Sequence, residues 1–352
     1  MKTARLPEYF STLEKGKTTL FINKKYEVKL TEQDFNVFFG LYNVTSSRSA
    51  HIQKERLPDG LSVHPYTGET EFRVSYHGRT PCKSIFVKNL DNGNLVVRDY
   101  WHGGLFGSVL KDIFWQGLRP VKELLICEGA SKKGIRTIEI IAIVKNRVLG
   151  PFFRSKLISR EIRDSVDLME FLLRVDNQTF LAKKKEIISK VAQAIKIMHD
   201  AGIYHADLNL KNILLQKSNR GEFVVYIIDL DKSRELKELN LHRRMKNLMR
   251  LDRSLEKFKR NVSMKNCFHV SCSSFFTQKD KIRFFKEYLR SGRYLTHPKL
   301  IRSDSEEMFR HEAALNSYGE MKKHLQVFLE MYPWNHKKHR FWWFLTDLSR
   351  KK

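Results

Sequence analysis

The chain has 352 residues, 41% of them hydrophobic, and sets 65 basic against 39 acidic side chains for a formal net charge of +26. That length suffices for a two-lobed core with at least one added segment, and so large a basic excess implies a polyanionic partner. Nucleic acid, an anionic membrane surface and a phosphorylated acidic glycolipid are the candidates. The sequence excludes a membrane-spanning run, since no stretch of about eighteen apolar residues occurs. Four cysteines, Cys82, Cys127, Cys267 and Cys272, lack CxxC spacing and complete no zinc site. Met1-Lys-Thr-Ala-Arg-Leu-Pro7 lacks the apolar core of a secretory signal. The expectation is a cytoplasmic protein, peripheral on the inner leaflet, with reduced thiols.

Residues 1–68 alternate short apolar patches with polar turns such as Leu57-Pro-Asp-Gly60 and His64-Pro-Tyr-Thr-Gly68, and read as an N-terminal extension without an assigned role. Residues 69–145 read as strand-rich. Phe72–Val74 and Ser84–Val87 suggest a hairpin, and between them Tyr76-His-Gly-Arg-Thr80 offers one glycine, Gly78, where backbone amides can approach a phosphate. Asn94–Val97 reads as a strand leading to Arg98, Gly103-Gly104 as a turn, Arg119–Ile126 as a helix, and Ile135–Val144 as a strand before a turn at Asn146. Leu168–Leu173 and Glu186–His199 follow as helices. In the second, Ile187, Ile188, Val191, Ala194, Ile195 and Met198 recur at helical spacing, and Gly202 stops the run. This order predicts an α+β, two-lobed, protein-kinase-like fold, with an N-lobe over 69–145 and a helical C-lobe core over 146–258.

The chemistry concentrates in Ile203-Tyr-His-Ala-Asp-Leu-Asn-Leu-Lys-Asn-Ile-Leu-Leu215 and Tyr226-Ile-Ile-Asp-Leu-Asp231, polar residues between apolar strand-like runs. Phosphoryl transfer needs an aligned acceptor oxygen, a held magnesium ion, and neutralisation of charge on the transferred group. Asp207, five positions before Asn212, can accept a hydrogen bond from an acceptor hydroxyl. Asn212 ends the loop with a carbonyl oxygen able to reach a metal, and Asp229 leaves the run Val224–Ile228 with a carboxylate for the same ion. Singly such residues are turn formers or helix caps. Jointly, HxDLNxxN followed by IDxD points to transfer from ATP with Mg2+. His205 is read as a brace for the loop.

The wording YHADLNLKNILL, then IIDLDKSR, then Asn247-Leu-Met-Arg-Leu-Asp-Arg-Ser-Leu255 resembles the 3-deoxy-D-manno-octulosonic acid (Kdo) kinases of Gram-negative lipopolysaccharide biosynthesis, relatives of the core heptose kinases. Val96-Val-Arg-Asp-Tyr-Trp-His-Gly-Gly-Leu105 also resembles a strand of that family, and the matches span about residues 75 to 258. The resemblance implies that Arg98 faces the nucleotide phosphates, that Glu123 holds it there, and that Gly78 belongs to the nucleotide-covering loop. It also places Asp231 on an acidic position of the family motif, for metal, substrate or a turn. Kdo carries a carboxylate and lipid A carries phosphates, so an anionic glycolipid substrate at the inner-leaflet surface suits the basic charge better than nucleic acid does.

A protein kinase is the alternative, but no Ala-Pro-Glu segment follows Asp229. A catalytically silent, basic kinase-like binder would not need the full set of metal and hydroxyl groups. Residues 259–352 read as a basic, aromatic, helical extension whose aromatics are first core packing. Its terminal run, His336-Lys-Lys-His-Arg-Phe-Trp-Trp-Phe-Leu345, carries the sharper expectation of an interfacial membrane segment, tested by deleting 336–352.

Overall fold

The structure is a computed structural model that describes residues 6–42, 62–64, 72–75, 82–87, 89–90, 94–102, 112–265, 276–290, 319 and 322–331. The chain divides into two compact units, Met1–Glu128 with Ile138–Arg163 and Gly129–Thr137 with Asp164–Lys352. The first holds β1 (Phe10–Lys15), β2 (Thr18–Asn23), α1 (Lys24–Glu27), α2 (Glu32–Gly40), β3 (Ser62–His64), β4 (Phe72–Ser75), β5 (Cys82–Phe86), β6 (Asn94–Asp99) and β7 (Phe114–Trp115). Helix α3 (Arg119–Lys132) follows, then the long strands β8 (Ile140–Leu149) and β9 (Phe152–Arg160). These strands pair in one sheet in the order β1-β2-β8-β9-β6-β5-β4-β3, with β7 on β9.

The central strands β8 and β9 are buried over Ile140–Val144 and Ser155–Ser159; in β8 that burial on both faces is why Ile140–Val144 reads as a continuous apolar run rather than as alternation. Lys156 lies inside this stretch. Its ammonium pairs with Asp99, its register partner on β6, and stands 4.8 Å from the Tyr42 ring centroid, so the buried charge is compensated. The expected hairpin of residues 72–74 and 84–87 is present as antiparallel β4 and β5. The turn expected at Asn146 falls instead at Gly150, where φ is +49°. Asn146 stays in β8, opposite Arg154, and its amide donates to Thr18 Oγ1 at 3.0 Å.

The N-terminal segment set apart in the sequence reading contributes directly to this sheet. β2 pairs with β8 from Thr18↔Asn146 to Ile22↔Ala142. Helix α2, started by a Thr31–Asp34 capping box, buries Phe38, and Leu41 follows into one core with Leu20, Ile22, Ile85, Leu95, Val97, Ile141 and Ile158. The division expected after residue 145 falls within β8.

The second unit holds β10 (Ser165–Asp167), α4 (Leu168–Arg174), α5 (Asn177–Asp200), β11 (Ile203–Tyr204), β12 (Ile213–Lys217), β13 (Phe223–Ile227), β14 (Arg234–Glu235), α6 (Leu241–Lys265) and α7 (Gln278–Arg290). A single 3-10 turn spans Leu210–Asn212, and residues 322–331 are helical. Helix α5 begins nine residues before the expected Glu186, because the Asp176 side chain accepts from the Thr179 amide at 2.8 Å and caps an earlier turn. Gly202 ends the helical region at φ +77°. A Cβ there would collide with the Leu236 carbonyl oxygen, so the sharp exit into the loop needs glycine. With strands first, α1, α2 and α3 among them, and helices around a short hairpin afterwards, the chain is α+β in the kinase-like order. No helix among the described residues is long and apolar enough to cross a membrane.

Candidate active site

Between β11 and β12 the chain makes a loop whose backbone is held from several sides. Asn247, fully buried on α6, accepts from the His205 amide at 3.0 Å and donates its Nδ2 to the His205 carbonyl at 2.8 Å. Seven residues along the same helix, Ser254 Oγ accepts from the Leu210 amide at 3.2 Å. Two helical turns separate those positions, so one face of α6 grips both ends of the loop. Ser233 Oγ accepts from the Ala206 amide at 3.3 Å.

His205 is the interior brace. Its Nδ1 accepts from the Asp207 amide at 3.0 Å, which leaves Nε2 as the protonated nitrogen donating to the Ile228 carbonyl at 3.0 Å. Burial pushes its pKa down, keeping the imidazole neutral in this tautomer. His199 is buried beside it: Nδ1 meets the Tyr288 hydroxyl at 2.8 Å and Nε2 lies 3.3 Å from Asn247 Oδ1. Burial, followed by the nearby Arg244 charge, lowers its pKa to about 3.

Asp207 itself is exposed, while His205, Leu208, Leu210 and Asn212 around it are buried. The Asn209 amide donates to the Asp207 carbonyl at 3.0 Å and to its Oδ2 at 3.2 Å. Asn212 Nδ2 also donates to the Asp207 carbonyl, at 2.8 Å, so its nitrogen is committed to the loop and its Oδ1 is left as the outward acceptor. The β12–β13 register pairs Ile213 with Ile227, and the Ile228 amide donates to the Asn212 carbonyl at 3.0 Å. Asp229 is therefore delivered next to the loop's end. It sits at φ +58°, a left-handed conformation that Asp tolerates better than most residues and that often marks a functional position. Asp231 follows two residues on.

In the first unit, the Arg98 guanidinium forms an ion pair with Glu123, a carboxylate that is 1% exposed on α3. The Tyr100 hydroxyl donates to the same Glu123 Oε2 at 2.6 Å, and Arg98 Nη2 lies 3.3 Å from that hydroxyl. Burial and then the Glu123 charge raise the Tyr100 pKa well above its ordinary value, so the phenol stays a donor. Arg98 is thus locked at the end of β6 by two partners.

The structure brings Asp207, Asn212 and Asp229 together in the second unit, and Arg98 with Glu123 in the first. Gly78, Gly103-Gly104 and the run 336–345 lie outside the described residues. Asn247, Ser254, Ser233, Asn209 and Tyr100 were given no role by sequence reasoning, although the segment Asn247–Leu255 had stood out as a motif.

The class of the protein, a kinase-like phosphotransferase, follows from the family match. Residues 76–288 match the model of the lipopolysaccharide kinase (Kdo/WaaP) family, extending thirty residues past the point where motif reading stopped and taking in most of α7. The 3-deoxy-D-manno-octulosonic acid kinase of Vibrio parahaemolyticus is 32% identical over 184 residues, covering 50% of this chain and 71% of its own. The enzyme of that name from Haemophilus influenzae is 30% identical over 169 residues, covering 47% and 66%. A solved structure, WaaP in complex with acyl carrier protein, aligns with 76% of this chain and 88% of its own at 19% identity and a TM-score of 0.40, a likeness that adds no argument. The chain belongs to the lipopolysaccharide kinase (Kdo/WaaP) family, and its reaction is phosphoryl transfer to a sugar hydroxyl.

Proposed function

We propose that the chain transfers the γ-phosphoryl group of ATP to a hydroxyl of Kdo, or of a core heptose, on an anionic lipid A precursor at the inner-leaflet surface. The observation that supports this best is the exposed Asp207 carboxylate on a loop whose backbone is pinned by His205, Asn209, Asn212 and Asn247. A carboxylate fixed in this way can accept the hydrogen bond of the acceptor hydroxyl, orient its oxygen lone pair towards the γ-phosphorus and take the proton as the new bond forms. Fixing it in advance removes orientational entropy from the barrier.

Asn212 Oδ1 with the carboxylates of Asp229 and Asp231 would hold magnesium. Their fit to that ion rests on an all-oxygen donor set and on the commitment of Asn212 Nδ2 to the loop, which leaves the amide oxygen for a cation. The ion would supply positive charge against the negative charge that develops on the transferred group. Arg98 is assigned the nucleotide phosphates, with Glu123 and Tyr100 setting its direction. Gly78 is assigned to the loop that covers them. His205 takes no proton from substrate, since both ring nitrogens are occupied within the loop.

The test is an acceptor panel. Purified protein receives labelled ATP, magnesium and either a Kdo-bearing lipid A precursor, a heptosylated core or a generic protein. Label is expected in the sugar acceptor. Label entering only protein removes the sugar kinase reading, and label entering nothing favours a binding protein.

A further inference from the structure

One end of the first unit's sheet carries a surface that phosphoryl transfer does not use. Two turns emerge there side by side, Lys15-Gly16-Lys17 between β1 and β2 and Gly150-Pro151 between β8 and β9. They are joined by the Thr18↔Asn146 register pair and by a 2.8 Å hydrogen bond from the Arg147 amide to the Lys17 carbonyl. Hairpin tips are ordinarily built from polar turn formers. This one reads Val148-Leu-Gly-Pro-Phe152, with Leu149 76% exposed, Phe152 38% and Val148 37%. Trp115 extends the patch. It is 64% exposed, pairs with Phe152 across β7 and β9, and meets its ring edge-on at 5.5 Å between centroids.

Cations surround the patch. Lys15, Lys17 and Arg147 are exposed around it, and Lys145 stacks 3.8 Å from the Phe153 ring centroid. Lys145 and Arg147 together line a shallow recess of about 580 Å³ whose other walls are Gln116, Leu118, Gly150, Pro151 and Phe153, none of them acidic. Burial and the Arg147 charge lower the Lys145 pKa, as expected for two cations crowded without an anion between them. Glu14 precedes Lys15 on β1, and Asp112, two residues before β7, is engaged by Arg154 at 3.2 Å.

We infer that this sheet end docks the protein on an anionic bilayer. Val148, Leu149, Phe152 and Trp115 enter the interfacial layer, and the Lys145–Arg147 recess receives a lipid headgroup phosphate. Aromatic and aliphatic side chains ringed by cations are the composition that interfacial segments use: apolar burial supplies the anchor and basic residues the attraction to anionic headgroups. A partner protein would need an acidic, concave complement, whereas a bilayer presents anionic charge above an apolar layer, which matches the ring and the tip respectively. The inference rests on the glycolipid part of the proposed function for its biological sense, and on the hairpin alone for its physics.

The test is flotation of the full chain with vesicles of phosphatidylethanolamine and phosphatidylglycerol, against vesicles of phosphatidylcholine. The wild type is expected to float with the anionic vesicles. The double variant Leu149→Ser/Phe152→Ser should lose at least about tenfold in partitioning. Lys17→Glu/Arg147→Glu should lose more than about twentyfold, each basic residue near such a surface being worth about a factor of five. All four residues are solvent-exposed, so thermal midpoints should match the wild type. Leu329→Ser, at an exposed apolar residue of the second unit, should leave partitioning unchanged. Undiminished flotation of both double variants overturns the inference. So does an equal loss in Leu329→Ser, or dependence on residues 336–352 alone. Flotation is read without substrate, so hairpin-dependent binding by a protein that fails the acceptor panel would sink the proposed function and leave the docking surface standing.

Discussion

A single amide, Asn247, satisfies both backbone polar groups of His205 and also stands against His199, which in turn meets Tyr288. The active-site loop is therefore braced through neutral imidazoles, and acid should loosen it. The folded-state pKa of His199, about 3, lies below its ordinary 6.5, so the unfolded chain takes up the proton first as pH falls. The stability tied to neutral His199 is complete above about pH 6.5 and is lost progressively towards pH 3. Between about pH 7 and pH 5 the loss should be about 2 kcal/mol, with His205 acting in the same direction. Urea midpoints at the two pH values check this: His199→Gln should show a smaller drop than the wild type, and an equal drop contradicts it. The grouping of Asp207, Asn212 and Asp229 was legible because the three lie in two short segments with fixed spacing. The role of Asn247 was not, because its hydrogen bonds reach back forty-two residues and no local pattern encodes that distance.

Elements whose boundaries depend on one local cause were read well. Gly202 was expected to end α5, and its left-handed φ with the Leu236 carbonyl against the missing side chain is the physical reason. Gly202→Ala should destabilise the protein by more than about 1 kcal/mol and depress turnover with it, since the loop begins three residues later. A thermal midpoint at or above the wild type would contradict the geometry. The start of α5 was misplaced because Lys183, Lys184 and Lys185 interrupt its apolar stripe, while the Asp176 cap lies upstream of that interruption. The turn at Asn146 was misplaced for a related reason. Asn favours turns, but here its side chain is satisfied across the sheet by Thr18 and the strand continues.

Across the whole chain, the least legible feature was the part played by residues 10–42. Their apolar residues come in short patches separated by charges, and their neighbours in the sheet come more than a hundred residues later. Phe38 is fully buried in the first unit's core, so Phe38→Ala should cost about 3–5 kcal/mol of stability. A loss below about 1 kcal/mol in denaturant unfolding would mean that the segment is a detachable extension after all. The second unit, with its contiguous loop and hairpin, was recognisable as a phosphotransferase core from its motifs alone. The measurement that bears most directly on that claim compares Asp207→Ala with the wild type in steady-state turnover and in ATP binding. Turnover should fall on the order of a hundredfold or more while nucleotide affinity stays within about twofold, as expected for a group that orients the acceptor hydroxyl. A loss of affinity as large as the loss of rate would show instead that Asp207 holds the nucleotide, and the assignment of the loop would be wrong.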